Sequence, residues 1–308
     1  MVAATGAYLS SFTLAATEVT ERAELPMLTL SYSDLITGRG FRYVFQTSSR
    51  AGDQAREAIP TLTRLAEAAS GRKPETVGIL TDNTAASISF VEPIRAEAQQ
   101  RFGVRIVVDE TFTPPLSDAT QLVQRVRSRR PDMLIFPVTV ISDAKLVIEK
   151  MNEFGLGRGR LPTIANGIAV AQTDMLQNVG AEQLEGLMTV VANWDAKGQE
   201  QIIEDWRRET GEPWMTQNAI STYGDMWIVK YALEAARRAD RNAVAQALRS
   251  MDVADGPAVY FPGRRIRFDA NGLRENAGLM VVQWQRGRPV TVYPAESAVA
   301  EAFWPRRT

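Results

Sequence analysis

The residues able to bind or react fall into a few short stretches. Gly6-Ala7-Tyr8-Leu9-Ser10-Ser11 joins a strand-like run to a helix start. Backbone N–H groups and the hydroxyls of Ser10 and Ser11 at such a turn suit a carboxylate or another acceptor-rich group. The same two serines also suit a plain helix cap. Ser31-Tyr32-Ser33-Asp34 follows the next strand and again places hydroxyls at a strand's carboxyl end, where open α/β sheets take ligands. Alone it reads as a turn; two such stretches after neighbouring strands reinforce each other. Asp82-Asn83-Thr84 and Asn166-Gly167 stand after two later strands, where each is also ordinary turn chemistry. Trp194, just past a strand, is a candidate cleft wall, and Asn218, at the start of a later helix, is grouped with the site.

Other chemistry is excluded by what the chain lacks. It has no Cys and no His among its 308 residues. Disulfides, thiolate catalysis, Cys/His metal sites and a Ser-His-Asp triad are therefore out of reach. No carboxylate pair has a spacing that demands acid–base work. Gly155-Leu156-Gly157-Arg158-Gly159 follows a helix, whereas a dinucleotide fingerprint follows a strand and opens a helix. No cofactor or metal is expected. Lys plus Arg total 35 against 36 Asp plus Glu, for a net charge of −1, so nothing points to a nucleic-acid partner.

The elements that must position these residues alternate. Thr76–Thr81, Val104–Val108, Met133–Phe136, Pro162–Ala165 and Leu187–Val191 read as apolar strands, with helices predicted over Ser87–Phe102, Ser117–Arg130 (Ser117 as N-cap) and Ser142–Phe154. Strands so spaced form βαβ units on a parallel sheet, and their unbroken apolar character fits a sheet covered on both faces. Ahead of this block lie strands at Val2–Ala4, Met27–Leu30 and Tyr43–Gln46 and a helix over Ser11–Ala23. Helices near 199–210, 217–238 and 242–251 follow it and are expected to return to the first sheet. Ile266–Phe268 and Met280–Tyr293 read as β structure, with a hairpin turn at Gln285-Arg286-Gly287-Arg288. The fold class is α/β, with two doubly wound, Rossmann-like lobes. The expected boundaries are 1–50 plus 194–262 for lobe 1 and 51–193 plus 263–308 for lobe 2. Lobe 1 looks short of strands.

This arrangement resembles the type I periplasmic binding proteins of the branched-chain amino acid and amide group, which serve ATP-binding cassette importers. The resemblance rests on Gly6 to Ser11, Leu25 to Leu28, Thr37 to Phe45, Asp143 to Gly155, Gly186 to Val190, Phe268 to Gly272 and Val281 to Trp284. It implies two lobes joined by three crossings, near Ser49, Asn193 and Tyr260–Phe268, and a ligand held between them. It further implies that Ser10, with the loop from Ser31 to Ser33, holds a ligand carboxylate. From the second lobe, Ala86, Thr139 and Asn166–Gly167 would face the ligand, with no acid at Asn166–Gly167 to pair with an ammonium.

The implied partners are a small polar ligand (amino acid, amide or urea-like compound, or small carboxylate) and an inner-membrane permease, with a periplasmic location. The same lobes serving as a sensor, or a Rossmann-like enzyme, are the alternatives. The resemblance also leads one to expect roughly 60 to 80 residues, two βα units and a signal peptide ahead of Met1. Met1–Ser11 itself has no basic segment and does not read as a signal peptide. A real start there would leave the chain cytoplasmic, with an incomplete first lobe open to dimerisation.

Overall fold

A computed structural model describes residues 1–305; the last three residues assigned to lobe 2 lie outside them. In chain order the elements are β1 (Ala4–Thr5), α1 (Ser10–Arg22), β2 (Met27–Thr29), β3 (Val44–Gln46), α2 (Ala51–Ser70), β4 (Thr76–Asp82), α3 (Ala85–Glu97), β5 (Arg105–Phe112) and α4 (Thr120–Arg129). There follow β6 (Met133–Ile135), α5 (Ile141–Glu153), β7 (Thr163–Asn166), α6 (Thr173–Val179), α7 (Ala181–Leu184) and β8 (Met188–Val191). The chain ends with α8 (Glu200–Thr210), α9 (Gln217–Ala236), α10 (Arg241–Arg249), β9 (Asp252–Val253), β10 (Ile266–Arg267), β11 (Met280–Gln285) and β12 (Arg288–Tyr293).

The larger sheet has the order β12-β11-β8-β7-β6-β4-β5. Its pairs from β8 to β5 are parallel, as βαβ crossovers require, and β11 and β12 add antiparallel at one edge. Apolar side chains fill both faces: Leu134, Phe136 and Val147 pack on one side, Val77, Ile79 and Ile94 on the other. The β11–β12 hairpin closes through Arg286 and Gly287, with φ of 54° and 80°. Two successive positive φ angles make the tight turn whose twist matches paired strands.

The smaller sheet is parallel, in the order β1-β2-β3. Of the three helices expected to return to it, α9 and α10 pack on it, whereas Ile203 of α8 packs with Met215 and Ile220 in a separate cluster. Leu28 and Phe45 pack with Ile228, Ala232, Val244 and Leu248. Ile266 and Phe268 join this same cluster, and β10 pairs with β9. Residues 263–268 therefore pack with the smaller sheet, although the sequence groups them with lobe 2. Arg274 is fully buried there, donating to the carbonyls of Thr47, Pro262 and Arg265. Phe12 and Val19 of α1, one helical face apart by seven residues, are exposed.

Local differences have local causes. Strand β5 runs on to Phe112 because it is the sheet's edge; Asp109 and Thr111 point outward, so the apolar run ends at Val108 while the hydrogen bonding does not. Helix α4 starts at Thr120, and Asp118 rather than Ser117 accepts the Thr120 N–H and hydroxyl.

Candidate functional site

The carboxyl ends of β1 and β2 from the smaller sheet face those of β4, β6 and β7 from the larger one. Between them lies a small cavity lined by Tyr8, Leu9, Ser10, Leu30, Ser31, Tyr32, Ala86, Thr139, Asn166 and Gly167, with a volume of about 20 Å³. That is room for about one water molecule. Of the residues singled out in the sequence, the structure brings together Ser10, Ser31, Tyr32, Ala86, Thr139, Asn166 and Gly167.

Ser10 is not a helix cap: Leu9 occupies that position, without a side-chain bond. The Ser10 hydroxyl oxygen instead accepts the N–H groups of Tyr32 and Ser33, at 3.2 and 3.1 Å. Both acceptor directions are filled, so its proton is left for another partner. Ser31 is spent differently. Its hydroxyl lies 2.6 and 2.9 Å from the carbonyls of Ala7 and Tyr8 and 2.6 Å from the Thr13 hydroxyl, which ties the two loops together.

From the opposite wall, Asp82 organises the ends of β4 and β6. One oxygen accepts the N–H and hydroxyl of Thr84, and the other accepts those of Thr139 at 2.7 and 2.8 Å. Asn166 donates to Gln54 of α2 at 2.8 Å and to the Val190 carbonyl. Gly167 has φ of +91°, and a Cβ there would sit 3.6 Å from the Tyr8 hydroxyl and 3.8 Å from the Tyr32 ring.

Two tyrosines cross between the walls. The Tyr8 phenol receives the Ile168 N–H, and burial pushes its pKa up to about 12, so it stays protonated. Although part of the residue is exposed, that phenol sits deep. Tyr32 donates to Gln217 of α9, and the Ala192 N–H reaches both the Tyr32 oxygen, at 3.0 Å, and Gln217, at 2.8 Å. Burial raises the Tyr32 pKa strongly as well. Tyr8, Gln54 and Gln217 are missing from the sequence-based site. A tyrosine inside a turn and glutamines in first helical turns carry no motif of their own.

The remaining expected residues lie elsewhere. Ser11 is exposed on α1. Ser33 is buried behind the cavity, with its hydroxyl 3.3 Å from that of Ser89. Asn83 is exposed and donates to Thr113, joining the ends of β4 and β5. Asn218 is half-buried and away from the cavity. Trp194 is fully buried in the larger sheet's core with Trp214 and Trp284, because the chain leaving β8 turns its ring inward. It floors a different hollow of about 360 Å³, with Lys197, Phe261 and Glu296. Another hollow, of about 240 Å³, is lined by Arg72, Lys73, Arg160 and Trp304 where β4, β6 and β7 begin. Both are wider than the cavity but lie away from the facing strand ends.

No group of three or more acidic side chains able to hold a metal ion occurs among the described residues. Among the described residues, no helix is long and apolar enough to cross a membrane.

Comparison with known proteins bears on the fold and the family. Leu/Ile/Val-binding protein homolog 8 of Brucella melitensis is 25% identical over 305 residues, covering 96% of this chain and 74% of the relative. A leucine-binding protein from Thermotoga maritima superposes with a TM-score of 0.80 at 16% identity, over 94% of this chain and 79% of its own. An ABC transporter solute-binding protein of R. palustris, solved with benzoate, superposes with a TM-score of 0.75 at 17% identity, over 98% of this chain and 80% of its own. Residues 1–289 match the periplasmic binding protein family, and the chain belongs to that family.

Proposed function

We propose that the chain is the solute-capturing component of an ABC-type importer, taking a small polar ligand between its two lobes. The observation that carries this reading is the meeting of Ser10 and Tyr8 from the smaller sheet with Thr139 and Gly167 from the larger one, in one cavity at facing strand ends. Open α/β sheets take ligands at that end of their strands. In this reading the lobes comprise 1–48 with 194–274 and 51–193 with 279–305, joined by three crossings. The third crossing follows the buried Arg274 rather than the Tyr260–Phe268 region.

The cavity, at about 20 Å³, is smaller than any amino acid. Ligand entry then requires the lobes to part, and closure buries the ligand, a hinge motion about the crossings. The closed form is what a membrane permease would engage, and a periplasmic location follows from the family. Leucine and benzoate, named with two of the structural neighbours, share a carboxylate end, and the free Ser10 proton suits such a group.

A thermal-shift screen against amino acids, amides and small carboxylates tests the reading. A true ligand present at 100 times its Kd stabilises the folded chain by about 2.7 kcal/mol. If no compound of these classes shifts the melting temperature, solute capture is abandoned.

A further inference from the structure

The capture site has an anion-facing end without a cation-facing one. We infer that its ligand is a carboxylate with an apolar body and no ammonium group, and not an α-amino acid. This inference rests on the capture reading above.

The donors come first. Ser10 accepts two backbone N–H groups, at 3.2 and 3.1 Å, and Tyr8 receives the N–H of Ile168. In both, the oxygen is supplied from the backbone and the proton is uncommitted. A hydroxyl in that state donates, and two such hydroxyls lining one cavity suit the two oxygens of a carboxylate. Both are fixed before a ligand arrives, so ordering them costs little.

The other end offers no charge to an ammonium. Asp82 is the acid behind this wall, and it does not line the cavity. Each of its oxygens already accepts two bonds, from Thr84 and Thr139. Thr139 lines the cavity in its place, and its proton is spent on Asp82. The Asn166 amide nitrogen is spent on Gln54 and Val190. A buried ammonium would meet neutral oxygens and lose its water, an exchange that disfavours the charged group. Leu9, Leu30, Ala86 and the Tyr32 ring supply the rest of the wall, which suits an alkyl or aromatic body.

The test is isothermal titration with matched pairs: 4-methylpentanoate against L-leucine, 3-phenylpropanoate against L-phenylalanine, and the corresponding neutral amides. The inference expects a carboxylate to bind about 100-fold more tightly than its amino acid. It also expects Tyr8→Phe to weaken that carboxylate about 10-fold and, because the Ile168 N–H loses its acceptor, to lower the melting temperature of the free chain modestly. An amino acid that binds as tightly as its carboxylate, or an amide that binds better, overturns the ligand class while solute capture stands. Carboxylate binding that Tyr8→Phe leaves untouched overturns the role of the two hydroxyls. No binding in any series removes both the class and the capture reading.

Discussion

The hydroxyl oxygen of Ser10 lies 3.1 Å from the amide nitrogen of Ser33, and this bond joins the start of α1 to the loop after β2. With the matching bond from Tyr32, at 3.2 Å, it fixes the loop after β2 against the first turn of α1. Removing the hydroxyl leaves two buried N–H groups without a partner. Ser10→Ala is expected to lower the unfolding free energy by about 2 kcal/mol, read as a shifted urea midpoint at constant slope. A loss under about 0.5 kcal/mol would mean that the serine is dispensable to the fold.

Asp82 holds the opposite wall in the same way with more bonds. Four donors from Thr84 and Thr139 converge on one fully buried carboxylate. Asp82→Ala orphans two backbone amides and frees both threonine hydroxyls, at a cost of about 3 kcal/mol in urea unfolding. Thr139→Val removes a single side-chain bond and is expected to cost about 1 kcal/mol. If the two substitutions cost the same, the carboxylate does not organise the wall.

Asp225 gives the smaller lobe a pH dependence of the opposite sign to ordinary acid denaturation. It is fully buried on α9, where it accepts from Thr5, and burial pushes its pKa up to about 7 despite the charge of Arg274 nearby. A carboxyl with a folded pKa above its unfolded value of 3.8 destabilises progressively as pH rises from about 4 to about 7, and uniformly beyond. The penalty at pH 8 is on the order of 4 kcal/mol. Asp225→Asn should therefore be the more stable protein at pH 8, with the difference shrinking toward pH 4. Urea titrations of both proteins at pH 4, 6 and 8 check this; a difference independent of pH contradicts it.

Much of this arrangement is legible in the sequence because strand ends are legible. Runs such as Met133–Ile135 and Thr163–Asn166 declare buried parallel strands, and the residue after such a run must lie at the ligand end of the sheet. Gly167, read from such a strand end, and Thr139, implied by the family resemblance, both line the cavity. Asn83 and Trp194 also follow strands but do not line it. Position at a strand end does not say which way a side chain turns: Asn83 turns along the sheet edge to Thr113, and Trp194 turns into the core. Gln54 and Gln217 were out of reach because their partners, Asn166 and Tyr32, lie 112 and 185 residues away in the chain. Each pair lies within one lobe and forms only when distant segments of that lobe fold together.

Gly167 tests whether the cavity is where binding happens, because a substitution there leaves every hydrogen-bonding side chain in place. Its φ of +91° is strained for any residue with a Cβ, so Gly167→Ala should cost about 1 kcal/mol of stability. The added methyl would sit at ordinary contact distance, 3.6 Å from the Tyr8 hydroxyl and 3.8 Å from the Tyr32 ring, so the fold can accommodate it. It would nonetheless occupy space that a ligand needs and crowd the hydroxyl proposed to donate to it. The expected result is a loss of at least about 10-fold in affinity for whichever compound the thermal screen identifies, far out of proportion to the small change in melting temperature. A variant that binds as well as the parent would place the ligand away from Gly167, in the hollow beside Trp194 or at the start of the large sheet's strands.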